Sequence, residues 1–371
     1  MKAFSSLSLA TVLLLVKLFS SNGFTISPSA VVTTGTRTSA HPFAISRIHI
    51  TPPLPNPKVS TRLEAWPQRK AAEVVVVAAS AALPSIKTLF VTCLLPTLLG
   101  LVKYEYGVSY GYGTSTAVSS YLILKSLLTF PTSPLMTLVQ LHAAAIIFYG
   151  ARLNIFLLYR ELFVARFRRM RERIESRQTV KEEGSGLLGR IVNRLPFIIS
   201  CAFLYLGLAI PPLMGGRLLE MMSATHVPCE KAVLAYKALV GCTWMGFLAA
   251  ALGDFIKTIV KGMKGADHLV TGGLFSLLRH PNYTGEIFGW TSSLVASLVA
   301  ISMSGVGLKQ LKPLAIPYAL GACGTLGINF VLCAAATNLE ARQKEKYGKS
   351  DKYNSWSAWA GITFSPKKKS E

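Results

Sequence analysis

Acidic residues are scarce in this chain of 371 residues, which has 17 Asp and Glu against 39 Lys and Arg. Charged residues make up only 15% of the chain, whereas soluble domains average about 25%. Hydrophobic residues make up 51%, which excludes disorder along most of the chain because disorder needs low hydrophobicity. The balance predicts an integral membrane protein. We expect its formal charge of +22 to serve membrane topology and anionic small ligands, and we predict no nucleic-acid partner.

Several motifs of soluble enzymes are also missing. The sequence has no CxxC pair, no Cys and His at metal-ligand spacing, no phosphate-binding Walker loop, no GxSxG and no GxGxxG after a strand. These absences predict that the protein holds no metal and is not a soluble dehydrogenase attached to a membrane anchor. His142 lies alone in an apolar stretch. It is either a functional group inside the membrane or, more commonly for such a residue, a core histidine bonded to a neighbouring helix.

The first 63 residues form a separate segment without a single Asp or Glu. An apolar run at 7–19 follows Lys2 and precedes small residues, as in a secretory signal peptide, and the Ser, Thr and Pro that follow are typical of a transit peptide. Such a pair, with Phe24 at the junction, resembles the bipartite presequence of algae with secondary plastids. The alternative is a signal anchor followed by a disordered lumenal tail.

Apolar stretches recur through the rest of the chain. Five are strong candidates for membrane spans, at residues 134–159, 196–214, 232–253, 287–308 and 314–336. Two more are weaker, because 74–102 is interrupted by Pro84 and Pro96, and 115–130 is short. A bilayer core needs roughly 20 apolar residues per helix, and no alternating barrel pattern appears. The predicted fold is an all-α, polytopic transmembrane bundle of about 6–7 helices.

Three basic segments separate these spans, at residues 160–194, at 254–283 and from 340 to the end. Two spans lie between each segment and the next, so all three segments fall on the same side of the membrane. The positive-inside rule places that side in the cytosol or an equivalent compartment such as the stroma. Arg166, Arg168, Arg169, Arg171 and Arg173 in the first segment are expected to bind anionic headgroups or to enforce this topology.

Polar side chains concentrate in residues 272–290, GGLFSLLRHPNYTGEIFGW. The glycine pair predicts a turn, and Pro281 fits the first turn of a helix, where its missing N–H costs nothing. Asn282 and Glu286 are four residues apart and therefore share a face. The start of a helix has free N–H groups that suit a phosphate or carboxylate. The alternative is a structural role, in which Arg279 and His280 anchor the helix at the membrane interface and Glu286 pairs with Arg279.

The run RHPNYTGE at 279–286 resembles the RHPNYxGE motif of membrane proteins with a steroid 5α-reductase-like C-terminal domain. Their superfamily also contains isoprenylcysteine carboxyl methyltransferases. The likeness continues at 253–261 and at 339–353, ends near 364–366, and is weak at 145–175, where it includes GARL at 150–153 and Arg160. We therefore predict three parts: a presequence at 1–63, N-terminal membrane helices with a basic loop at 64–195, and the reductase-like membrane domain at 196–371.

The resemblance implies a nucleotide cofactor, NADPH in the reductase branch, enclosed by the C-terminal helices. It implies hydride delivery to an activated C=C bond of an apolar substrate that enters from the bilayer. Lys257, Lys261 and Arg279 would meet the phosphates, whereas Asp254, Asn282 and Glu286 would accept hydrogen bonds from ribose or amide groups. The implied cofactor-binding set is Asp254, Lys257, Lys261, Arg279, His280, Asn282, Tyr283, Glu286, Glu340 and Tyr353.

Two alternatives stay open at this point. One is an S-adenosylmethionine-dependent methyltransferase of the isoprenylcysteine type, which shares Arg279, His280, Pro281, Tyr283 and Gly285. The other is a non-catalytic membrane protein that keeps the fold. The substrate-activating Glu and Tyr of the steroid reductases have no match here. A polar aromatic cluster at 104–112, with four tyrosines and a glutamate, is a candidate substitute or an interfacial belt. The expected location is a plastid or endoplasmic reticulum membrane.

Overall fold

The computed structural model describes residues 82–181, 186–222 and 226–360, and within these ranges it contains helices and no strands. The presequence predicted at 1–63 lies outside them. We number the α-helices in chain order: α1 Ile86–Thr97, α2 Tyr104–Val108, α3 Tyr110–Leu127, α4 Pro134–Phe163, α5 Ala165–Lys181, α6 Leu187–Met221, α7 Glu230–Lys264, α8 Leu274–Leu277, α9 Pro281–Ser304, α10 Leu308–Leu311, α11 Ala315–Tyr347 and α12 Asp351–Trp359.

The predicted helical membrane bundle is confirmed. Five helical segments of the described chain are long and apolar enough to cross a membrane: α4, α6, α7, α9 and the continuous α10–α11 segment, Leu308–Tyr347. The two weak spans also form helices. A shorter apolar segment, Ile86–Leu101, combines α1 with a 3-10 turn after Pro96, and α3 has 18 residues. The predicted division between residues 195 and 196 falls within α6 and stays a prediction.

Helix α6 lies at the centre of the bundle. It packs against α1, α3, α4, α9 and α11, and 72% of its most apolar window is buried, the largest share among the five spans. Pro211 and Pro212 lie inside it and are buried. Prolines are tolerated within membrane helices because neighbouring helices and side chains satisfy the backbone groups that they leave free.

Helices α7 and α9 are joined along glycines. A Cβ atom added at Gly285 would lie 2.5 Å from the carbonyl oxygen of Gly246, and one added at Gly246 would lie 2.6 Å from the backbone nitrogen of Gly289. Small residues let helix backbones approach closely in membranes, where packing rather than hydrophobicity drives association. Gly285 therefore serves the approach of a neighbouring helix, and it places the start of α9 directly against the end of α7.

Successive spans run antiparallel, and this brings the polar segments to one end of the bundle. The second halves of α4 and α7 and the first turn of α9 meet through Arg152, Asp254 and Glu286. The end of α11 reaches the same place through Glu340, which lies near His280. The polar segments 164–181 and 265–280 thus lie at this end, which we call the basic end. At the opposite end, α6 ends at Met221, α7 begins at Glu230, and only residues 305–307 separate α9 from α10.

The local signals around the motif also place its helix correctly. Gly273 has φ +63°, a conformation that side chains rarely adopt, and Pro281 occupies the first turn of α9. Helix α9 ends at Gly305, whose left-handed φ of +64° terminates the helix in the usual way. The predicted turn and the predicted helix start at Pro281 are both observed.

Candidate functional site

The candidate site is a buried ionic network centred on Arg152 of α4. Its guanidinium donates through Nη1 to Asp254 Oδ2 at 2.8 Å and through Nη2 to Glu286 Oε1 at 3.0 Å. Asn282 Nδ2 donates to the other oxygen of Asp254 at 3.2 Å. The side chains of Arg152, Asp254 and Glu286 are between 10% and 13% exposed. Two predicted residues from distant segments, Asp254 and Glu286, therefore share Arg152 as a partner, and Asn282 joins the network through Asp254.

An aromatic layer covers the inner side of this network. The Tyr149 hydroxyl donates to Glu286 Oε2 at 2.7 Å, and the Arg152 guanidinium lies 4.8 Å from the centre of the Tyr149 ring. The fully buried Trp290 ring meets Tyr149 edge-on at 5.0 Å, and its Nε1 donates to the Tyr112 hydroxyl at 2.7 Å. Hydroxyl and indole groups thus lead from Glu286 into the bundle interior.

The network leaves polar atoms without partners. Within the described chain, Arg152 Nε, Asn282 Oδ1 and Thr284 Oγ1 are buried and make no hydrogen bond. Buried polar atoms in native proteins are nearly always satisfied, and leaving one unmet costs roughly 1–3 kcal/mol. Arg152 Nε and Asn282 Oδ1 belong to the network itself and are consistent with a polar ligand that supplies the missing partners, whereas Thr284, two residues from both Asn282 and Glu286, lies on the opposite face of α9.

Two cations next to the network lack counter-ions. Lys257, one turn beyond Asp254 on α7, and Arg160, two turns beyond Arg152 on α4, make no hydrogen bond or ion pair with any described residue. Both are half-buried, and both interact electrostatically with Asp254 and with each other. Arg160 lies instead over the Phe167 ring, 4.1 Å from its centre. A half-buried cation without a partner is costly, so this pair suits an anionic ligand.

A second group of predicted residues lies nearby, around Glu340 of α11. Glu340 Oε1 lies 3.4 Å from His280 Nε2 and 3.8 Å from Arg279 Nη1. Burial lowers the pKa of the His280 imidazole to about 4, against the opposing effect of the Glu340 carboxylate. His280 is therefore neutral at physiological pH. Arg279 also donates to the carbonyls of Ser357 and Ala360, which ties this group to the C-terminal helix α12.

The remaining predicted residues occupy the edges of the two groups. Tyr283 interacts electrostatically with Glu286 and Asp254 and also with Arg342 of α11, so it lies between the groups. Tyr353 is buried in α12, and Arg279 and Glu340 both act on its hydroxyl. Burial raises the pKa of Tyr353. Lys261 donates to the carbonyl of Ala266, in the connection that follows α7, at 2.8 Å.

A separate ionic cluster, centred on Arg171, accounts for part of the aromatic segment at 104–112. Arg171 Nη1 pairs with Glu161 Oε2 at 2.7 Å. Glu161 also accepts hydrogen bonds from the Tyr106 hydroxyl and, at 2.6 Å, from the Tyr110 hydroxyl. Tyr112, in contrast, belongs to the aromatic layer of the Arg152 network. The segment therefore does not act as one cluster, and Arg171 faces the protein interior rather than lipid headgroups.

Sequence reasoning missed Arg152 and Tyr149 as members of the site. Only the weak likeness at 150–153 touched this part of the chain, and no role was assigned to it. A usable signal was present, because an arginine inside an apolar span needs a partner. His142 fits the core alternative, since its Nδ1 lies 3.2 Å from the Tyr236 hydroxyl and its Nε2 lies 2.7 Å from Ser293 Oγ. No group of three or more potential metal ligands occurs in the described ranges.

Comparison with known proteins gives one match. Residues 218–359 match a family described as "Protein of unknown function (DUF1295)", which is linked to steroid 5α-reductase-like membrane proteins. The matched region contains all ten predicted cofactor-binding residues but neither Arg152 nor Tyr149. No curated protein and no solved structure matches the chain. The chain is a membrane-embedded helical protein whose C-terminal half is similar to this family.

Proposed function

We propose that the chain is an NADPH-dependent reductase of an activated C=C bond in a lipid, isoprenoid or sterol-like substrate. The observation that carries the proposal is the pairing of a hydrogen-bonding network with uncompensated cations. Among the described residues, Arg152 Nε and Asn282 Oδ1 make no hydrogen bond, and Lys257 and Arg160 make no ion pair and share the single nearby charge of Asp254, all at the basic end of the bundle. A dinucleotide presents both kinds of group, because its phosphates need cations and its ribose and carboxamide need hydrogen bonds.

The roles divide along the site. Lys257 and Arg160 would hold phosphate groups, with Lys261 one turn further along α7. Asp254, Asn282 and Glu286 would bond ribose hydroxyls or the carboxamide. Arg279, His280, Glu340 and Tyr353 would form the wall towards α12, and Tyr283 would lie between. Charge-assisted hydrogen bonds are roughly twice as strong as neutral ones, so this donor and acceptor set is suited to a polyanion.

The cofactor, when bound, would supply the hydride. The protein's contribution would be to orient the reacting groups and to exclude water. Trp290, Tyr149 and Phe247 form a tightly packed aromatic layer on the inner side of Glu286. This layer would separate the charged groups at the basic end from the apolar interior, where a substrate from the bilayer would lie.

The methyltransferase alternative is less well supported by the charge pattern. S-adenosylmethionine carries a single carboxylate and a sulfonium cation, whereas the site offers several cations and two of them have no counter-ion in the described chain. The measurement that tests the proposal is therefore a titration of the full chain in detergent, first with NADPH and then with S-adenosylmethionine. NADPH fluorescence and calorimetry report the two binding events.

We expect NADPH to bind to the wild-type chain, and Glu286→Gln and Asn282→Ala each to weaken it by about 10–100-fold, since hydrogen bonds to charged groups contribute roughly 1.5–3 kcal/mol. Glu220→Gln, an exposed glutamate near the other end of α6, is the matched control and should bind as the wild type does. Binding of S-adenosylmethionine without NADPH would replace the proposal with the methyltransferase. Binding of neither ligand would leave a non-catalytic membrane protein.

A further inference from the structure

Helix α5, which follows α4 at the basic end, is held in one rotation by its inner face. Arg171 pairs with Glu161 at 2.7 Å and is only 4% exposed, and Glu175 pairs with Arg194 at 3.0 Å. Phe167, one turn before Arg171, is also buried. Two ion pairs and an aromatic contact on the same face determine which side of the helix points away from the protein.

The outer face of α5 carries a stripe of three arginines. Arg169, Arg173 and Arg177 are exposed, are spaced four residues apart, and make no hydrogen bond or ion pair with any residue that the structure describes. Like charges at this spacing destabilise a helix. The neighbouring arginines differ, because Arg168 donates to the Leu162 carbonyl at 2.6 Å and Arg166 pairs with Asp267 at 3.2 Å. The three arginines of the stripe thus form no ion pair within the described residues, and the only acidic residue beside them on this face of α5 is the exposed Glu172.

The surroundings of the stripe indicate where the counter-charges lie. Helix α5 starts two residues after the end of the α4 span, and Phe163, at that junction, is 71% exposed. Val180 near the other end of α5 is 68% exposed. Large apolar side chains flanking a basic face are typical of a helix at the interface of a bilayer. The guanidinium also binds phosphate in a two-point geometry that lysine cannot match.

We propose that the outer face of α5 binds the anionic headgroups of phospholipids through Arg169, Arg173 and Arg177. Each basic residue near an anionic leaflet strengthens binding about fivefold. The stripe lies on a different helix from Lys257 and its residues are separate from the proposed cofactor set, so this inference does not depend on the reductase proposal.

The test uses the full chain in detergent, titrated with phosphatidylglycerol and, in parallel, with phosphatidylcholine, with bound lipids counted by native mass spectrometry. The variant is Arg169→Gln/Arg173→Gln/Arg177→Gln. The matched control, Lys231→Gln/Lys309→Gln/Lys312→Gln, removes the same charge from exposed lysines at the opposite end of the bundle. A third arm adds inorganic phosphate to the phosphatidylglycerol titration as a competitor.

We expect phosphatidylglycerol to bind to the wild type and the control in preference to phosphatidylcholine, and to bind about 100-fold more weakly to the arginine variant. The preference for phosphatidylglycerol over phosphatidylcholine should decrease as the salt concentration is raised, because exposed charges are screened. Equal phosphatidylglycerol binding by the wild type and the arginine variant would overturn the proposal. So would an equal loss in the lysine control, or inorganic phosphate that competes fully with the lipid.

Discussion

Two buried arginines at the basic end, Arg152 and Arg171, have partners of the same chemical kinds. They differ in how many of the buried polar atoms around them make hydrogen bonds. Each pairs with two carboxylates, and each lies over a tyrosine ring whose hydroxyl bonds to one of those carboxylates. In the Arg171 cluster, no buried side-chain nitrogen or oxygen of the described residues lacks a hydrogen bond, whereas the Arg152 network leaves Arg152 Nε and Asn282 Oδ1 unmet.

We infer from this difference that one arginine belongs to a structural clamp and the other to the proposed binding site. The Arg171 cluster joins α2, α3, α4 and α5, and none of its described, fully buried polar atoms is left without a hydrogen bond. The Arg152 network joins α4, α7 and α9, keeps polar atoms unused and lies next to the uncompensated Lys257 and Arg160. A buried ion pair is by itself weak grounds for stability or for function. What distinguishes the two arginines is the set of polar atoms that remains after internal pairing.

The largest effect is expected for the clamp. Arg171→Met should lower the free energy of unfolding by up to about 3–5 kcal/mol, because the half-buried Glu161 would lose its cation and the 4% exposed arginine site would lose its ion pairs. Arg173→Met, two residues along and exposed, is the control and should change stability little. Denaturant unfolding in mixed micelles measures both. A stable Arg171→Met protein would mean that the cluster does not act as a clamp.

Lys257→Gln should affect the proposed site and leave stability nearly unchanged. We expect the NADPH dissociation constant to rise by about 10–100-fold, because one charge-assisted contact is lost. We also expect NADPH binding by the variant to depend less on salt. Lys264→Gln, on the exposed last turn of α7, removes the same charge from the same helix and serves as the control. If both variants bind NADPH alike, the uncompensated lysine has no part in the site.

Gly285→Ala should disturb the α7–α9 contact that brings Asp254 and Glu286 together. The added methyl group would lie 2.5 Å from the Gly246 carbonyl, whereas at Gly241 on α7 it would meet nothing within 4 Å. Overpacking typically costs 1–3 kcal/mol, so Gly285→Ala should be less stable than Gly241→Ala and should also bind NADPH more weakly. Equal stability of the two alanine variants would contradict the close contact.

The last effect concerns acid and is absent at neutral pH. The pKa of His280 is about 4 in the folded protein and about 6.5 when unfolded, so the unfolded chain takes up the proton first as pH falls. The stability from this group is complete above about pH 6.5 and is lost between about pH 6.5 and 4. The melting temperature of His280→Asn should therefore depend less on pH in that window than the melting temperature of the wild type. Parallel pH profiles would show that folding does not lower the pKa of His280.

The helical membrane bundle could be predicted from the sequence because each membrane span is a continuous local run of apolar residues. The turn at Gly273 and the helix start at Pro281 were predictable for the same reason. The sharing of a face by Asn282 and Glu286 follows from helical spacing alone. Each of these features depends on residues within a few positions of one another.

The site could be predicted only in part. Asp254, Asn282 and Glu286 were named through a motif likeness, yet Arg152, which pairs with Asp254 and Glu286, is 102 residues from the first and 134 residues from the second. Helical periodicity gives the face of each helix but not which helices are neighbours, so no local pattern pairs these residues. The prediction that residues 104–112 form one polar aromatic cluster was wrong for a related reason. Tyr110 and Tyr112 are close in sequence but face different clusters on opposite sides of α3.

One titration tests the difference between the two arginines most directly. The full chain in lipid nanodiscs is titrated with NADPH, and Glu286→Gln is compared with Glu161→Gln. Each variant removes the charge of one carboxylate from an arginine network at the basic end. We predict that Glu286→Gln weakens NADPH binding by about 10–100-fold, while the folded fraction of Glu161→Gln binds as tightly as the wild type. Equal binding by the two variants, or a greater loss in Glu161→Gln, would contradict the assignment of Arg152 to the site and Arg171 to the clamp.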